Sequence, residues 1–118
     1  MVAIGAIHSL LGEKLIFSRM RTTGWVPKLG GAVLHERHVR ILWATWHLVT
    51  VLGLFVAIAI LEIRHATSLD QSRHLMTMAV IGATSTSSAF VLIGTRGRHP
   101  GWIGLLGVAL LVGAGAYA

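Results

Sequence analysis

Three residues of this 118-residue chain combine a chemically active side chain with an apolar setting: His8, Glu13 and His47. His47 lies within Ile41–Leu61, a run of 21 residues without a charge, and Arg40, Trp43 and Thr50 share its helical face at spacings of three and four. In the first apolar segment, Gly5, His8, Ser9, Gly12 and Glu13 cover an arc of about 140° at helical periodicity. Ionisable groups in such surroundings are costly and mark functional sites. A desolvated carboxylate with a histidine nearby takes up and releases a proton as access alternates, the chemistry of proton- or cation-linked transport of a small solute or ion.

The same residues permit a second chemistry. On antiparallel neighbouring helices, His8 and His47 would differ in depth by about four residues, roughly 6 Å, a separation that suits two ligands across a haem or across a transition metal shared with Glu13. Two histidines and a carboxylate also make a facial triad for iron. Helix rise places Glu13, His47 and Ser88 at a common depth of about 8–10 Å below one membrane surface, so a single layer is expected to gather them together with Thr84. Each has a structural alternative. Glu13 can pair locally with Lys14, His47 can hydrogen-bond a neighbouring helix for about 1 kcal/mol, and the hydroxyl run Thr84–Ser88 can act as interhelical glue.

These residues sit on an apolar chain. Hydrophobic residues make up 54% and charged residues only 12% of the sequence, against roughly a quarter charged in a soluble domain. The mean hydropathy is +0.74. An all-α integral membrane protein is expected, a bundle of four transmembrane helices spanning approximately 1–17, 41–61, 75–94 and 102–118 as a single domain. Gly-Trp-Val-Pro and Gly-Gly mark the first connection as a surface loop with Trp25 as anchor, Glu62–His74 reads as a polar outer connector, and Pro100-Gly101 opens the last span. Trp43, Trp46 and Trp102 fit an aromatic belt, and Gly104, Gly107, Gly113 and Gly115 read as a packing surface for another helix or subunit.

The formal net charge of +6 resides in short loops between apolar runs. That is the pattern of membrane topology signals and not of nucleic-acid binding. The first and third loops are basic and the second is nearly balanced, which places both termini outside and the basic loops in the cytoplasm. Arg37, Arg40, Arg96 and Arg98 fall on that side and suit an anionic lipid headgroup. The segment His35-Glu36-Arg37-His38 departs from the H-E-x-x-H zinc pattern, since Val39 stands where the second histidine belongs. With no cysteine there is no disulfide framework or thiolate site. The first residues lack a basic region and an A-x-A cleavage pattern, so they read as a retained helix. No nucleotide loop, no nucleophile with an oriented base and no paired carboxylates are visible, which leaves transport, cofactor binding, or a non-catalytic subunit of a larger membrane complex.

In length, helix count and an acid about 13 residues into the first helix, the chain is similar to the small multidrug-resistance transporters, which work as dimers. Glu13 follows Gly12 and precedes Lys14 where that family has Ala-Glu and then Gly-Thr, so the likeness in layout transfers no residue. The segments HSLLGEK from His8 and RILWATWHLVT from Arg40 resemble those of a group of small four-helix bacterial inner-membrane proteins with an H-S-x-L-G-E segment and a later W-H-L. The resemblance covers the first half of the chain and implies a multi-pass inner-membrane protein with His8, Glu13 and His47 as the residues of interest. It implies no chemistry.

Overall fold

A computed structural model of the chain describes residues 2–116. It is all-helical: α1 (Val2–Leu15), a 3-10 turn (Phe17–Met20), α2 (Glu36–Ile63), α3 (Leu69–Thr95) and α4 (Gly101–Ala116). Among the described residues the only extended pairing is an isolated bridge between Gly30 and Leu34 in the first loop. Met1, Tyr117 and Ala118, at the ends of the first and last expected spans, lie outside the described residues.

The helix ends differ from the hydropathy pattern for local reasons. The polar connector expected over Glu62–His74 shrinks to five residues, because α2 continues to Ile63 and α3 begins at Leu69. Ser68 caps α3, its side chain accepting from the Gln71 N–H at 3.1 Å, and Asp70 sits in the first turn, where the helix dipole favours an acid. At the other end Arg96 turns left-handed (φ 55°), and the Gly97 N–H returns to the Leu92 carbonyl at 2.8 Å, closing the orphaned carbonyls of the last turn.

Two helices are long and apolar enough to cross a membrane. The best 18-residue windows of α2 and α3 have mean hydropathies of 2.2 and 1.6, and only 17% and 22% of those windows are buried, unlike the core helix of a soluble domain. Helices α1 and α4 are shorter, with 14 and 16 residues, about 21 and 24 Å of helix. Large apolar side chains face outward all along the chain, including Ile7, Leu10, Val49, Ile60, Ile93 and Leu110.

The helices pack in chain order, α1 on α2, α2 on α3 and α3 on α4. The result is a flattened row of 55 × 30 × 20 Å and not a closed four-helix ring. Small side chains line the contacts: Ala44, Ala57, Ala59, Ala83 and Ala109 are all buried. A Cβ on Gly94 would stand 3.0 Å from that of Ala44 and 3.4 Å from the Trp43 ring, while one on Gly82 would overlap Phe55. Close approach is what holds helices together when the surroundings are as apolar as the side chains. Gly104 and Gly107 of α4, in contrast, face open space, and a Cβ on either would meet nothing within 4 Å. Gly94→Val should therefore destabilise the α2–α3 contact by about 1–3 kcal/mol through overpacking, whereas Gly104→Ala should be neutral or slightly stabilising. Denaturant titration in detergent, followed by circular dichroism, separates the two.

Candidate functional site

Helix α1 is held to α2 by a line of polar side chains. At one end, Thr50 of α2 donates its hydroxyl hydrogen to the Gly5 carbonyl of α1 at 3.1 Å. Next, Ser9 Oγ lies 2.8 Å from Thr50 Oγ1 and 3.0 Å from His47 Nδ1. His47 Nε2 lies 3.3 Å from Glu13 Oε2, which also accepts from the Trp43 indole N–H at 3.2 Å. The other carboxylate oxygen, Oε1, pairs with the guanidinium of Arg21, which follows the 3-10 turn. Trp46 completes the line by donating to the His8 carbonyl at 3.2 Å.

Counting hydrogens orders this line. A carbonyl only accepts, so the single hydroxyl hydrogen of Thr50 is committed to Gly5. Ser9 must then donate to Thr50, and its oxygen must accept from His47 Nδ1–H. Glu13, paired with Arg21 as a carboxylate, likewise accepts from Nε2–H. With every bond made, both ring nitrogens of His47 carry hydrogen. With the Nδ1 hydrogen removed, the side-chain contacts stay bonded if Ser9 turns its hydroxyl toward the ring and Thr50 turns from Gly5 toward Ser9. One proton is thereby coupled to two hydroxyl rotations and to one backbone carbonyl of α1.

The ring is well screened. Its side chain is 15% exposed, with Trp43 edge-on at 5.0 Å, Phe90 of α3 at 6.1 Å and the buried Phe17 of the 3-10 turn at 6.3 Å. Gly12 makes the approach feasible, since any side chain there would run into the Trp46 indole. Trp43 and Trp46 direct their indole N–H groups into the α1–α2 contact. The expected local pair of Glu13 with Lys14 is replaced by the longer-range partner Arg21.

The remaining expectations are redistributed. Ser88 donates to the Trp102 carbonyl at 2.7 Å, tying α3 to α4, and Thr84 turns back on the Val80 carbonyl of its own helix at 2.7 Å. The single layer expected to gather both with Glu13 and His47 does not form, because these hydroxyls find nearer carbonyls. Phe90, not a hydroxyl, is the α3 residue beside His47. Arg40, on the His47 stripe by spacing, turns instead to Glu36 at 3.3 Å.

His8 stacks on Trp46 with ring centroids 4.2 Å apart and planes 9° from parallel, and its Nε2 is buried without a partner. The haem or metal expectation on His8, His47 and Glu13 finds an unsuitable donor set. Among the described residues no group of three His, Asp or Glu is placed to hold a metal. His47 has both nitrogens engaged, and Arg21 occupies the carboxylate. The Ser9–His47–Glu13 order resembles a nucleophile, base and acid, but Ser9 gives its hydrogen to Thr50, and the α1 N–H groups around it belong to the helix ladder and offer no oxyanion donors.

Ser9 lies one turn before Glu13, and Trp43 and Thr50 flank His47 at four and three, so half of each row is legible in the sequence. Arg21 carries no such signal, because it lies beyond the end of α1 and reaches Glu13 only after the 3-10 turn Phe17–Met20. The hydrogen count yields a test by solid-state 15N NMR. Wild-type His47 should give protonated signals from both ring nitrogens. In Thr50→Val, Ser9 is free to donate to the ring, and the Nδ1 resonance should move to the unprotonated position.

No protein-family model, curated protein or solved structure significantly matches this chain.

Proposed function

We propose that the chain is a multi-pass protein of the bacterial inner membrane that couples a proton, carried on His47, to the passage of a small solute or ion. The supporting observation is the unbroken hydrogen-bond line Glu13–His47–Ser9–Thr50–Gly5, whose side-chain contacts stay bonded after loss of one proton when two hydroxyls reorient. Glu13, clamped by Arg21 and Trp43, acts as the counter-ion that orients the ring, while His47 is the group that carries the proton. Release of the Gly5 carbonyl loosens the α1–α2 contact, which gives loss of the proton a mechanical consequence at one end of the row of helices.

In this reading all four helices cross the bilayer. Their outward apolar side chains support that placement, and α1 and α4 require local thinning or tilt of their neighbours to match a hydrocarbon core of about 30 Å. The basic connections, with Arg19, Arg21 and Lys28 in the first and Arg96 and Arg98 in the third, lie in the cytoplasm, and both termini lie outside. The lipid bilayer is the obligatory partner. The open glycines of α4 leave a surface on which a second copy, or a larger membrane complex, packs closely.

The test is proton flux into liposomes loaded with a pH-sensitive dye, with the membrane potential clamped. Wild type should acidify the lumen about tenfold faster than His47→Gln or Glu13→Gln. Flux equal to that of protein-free liposomes, or retained in both variants, overturns the reading and leaves a subunit role, which would appear as co-purification with a larger complex.

A further inference from the structure

We infer that the cavity between the start of α2 and the end of α3 is a binding site for a phosphate group. It has a volume of about 530 Å³ and is lined by Arg37, Arg40, Arg96, Arg98 and His99, with Glu36 as its single acid. It shares no residue with the Glu13–His47 line, so it stands apart from the transport reading.

The central observation is Arg40. Its side chain is only 7% exposed, and one arm of the guanidinium meets Glu36 at 3.3 Å. Its Nε is buried with no partner. Burial of an unpaired guanidinium nitrogen is costly, and an acceptor entering the cavity relieves that cost. The planar guanidinium fork fits two oxygens of one phosphate side by side, a match that an ammonium group lacks. Glu36 is half-exposed and offsets one of four arginines, so the lining keeps a clear cationic excess for an anion.

Neighbouring histidines add directional donors. Gly101 N–H donates to His99 Nδ1 at 3.1 Å, which leaves Nε2 as the hydrogen-bearing nitrogen of the neutral ring. Arg37 Nε donates to His38 Nε2 at 3.2 Å, orienting a second imidazole on the same lining. The volume exceeds that of a bare phosphate ion and falls in the range of about 300–1,000 Å³ typical of small-molecule sites. Ile41, where the uncharged run of α2 begins, contributes an apolar wall. A phosphodiester on a lipid headgroup and the phosphate of a soluble small molecule share this chemistry.

The experiment is native mass spectrometry and thermal unfolding of the full chain in a neutral detergent. Inorganic phosphate and phosphatidylglycerol are titrated separately, with diacylglycerol as the phosphate-free lipid. Saturable binding of one equivalent is expected for at least one phosphate probe and not for diacylglycerol. Binding should weaken about tenfold in Arg40→Gln and in the exposed pair Arg96→Gln/Arg98→Gln, the latter leaving the fold intact. The equally charge-reducing pair Arg19→Gln/Lys28→Gln, outside the cavity, should stay within about twofold of wild type. A response to phosphatidylglycerol alone assigns a lipid phosphodiester, and a response to inorganic phosphate assigns a free phosphate group. No saturable binding of either probe, equal binding of diacylglycerol, or equal loss in the control pair overturns the inference.

Discussion

Everything particular about this molecule depends on the carboxylate of Glu13. In a chain this apolar, helix faces differ little from their surroundings, and hydrophobicity alone gives α1 no reason to prefer one rotation over another. Polar groups supply the reason. Glu13 gathers Trp43 and His47 from α2 and Arg21 from beyond the 3-10 turn, and so fixes the axial rotation of α1, its depth, and the return of the chain behind it. A carboxylate in such a setting is tolerated only when paired and hydrogen-bonded, which is why three partners converge on its two oxygens.

That single docking decision propagates. With α1 rotated so that Gly12 meets the Trp46 indole, Ser9 comes to face His47 and Thr50 comes to face Gly5. The imidazole is then flanked by three aromatic rings from the 3-10 turn, α2 and α3, so the ring is screened from water while its hydrogen bonds run along the helix contact. The α3–α4 side is assembled differently. There the buried Ala109 of α4 and the Ser88 hydroxyl on the Trp102 carbonyl join the helices without a charged group. The protein divides into an apolar half and a half held by polar contacts.

The arginines separate along the same lines. Arg21 is consumed by Glu13, whereas Arg40, one turn before Trp43 on α2, lines a cavity at the helix end and keeps a buried nitrogen without a partner. Residues of one sequence stripe thus serve two places: Trp43, His47 and Thr50 hold α1, and Arg40 serves the cavity. A helical stripe extends over several turns, and different neighbours cover its different levels.

Run length, composition and three-to-four spacing suffice for the helical class, the two long apolar helices, the grouping of basic residues at the ends of α2 and α3, and the pairing of a small-residue face with an acid in α1. All of these are local properties that neighbours in sequence settle. No such pattern tells that Arg21 and not Lys14 neutralises Glu13, that Ser9 meets His47, that Ser88 and Thr84 serve other carbonyls, or that the helices form a row; these emerge from the packed chain. Ser9 and His47 lie 38 residues apart. Their meeting depends on how one helix is rotated against another, and in an apolar protein that rotation is set by a few long-range hydrogen bonds which local spacing does not encode.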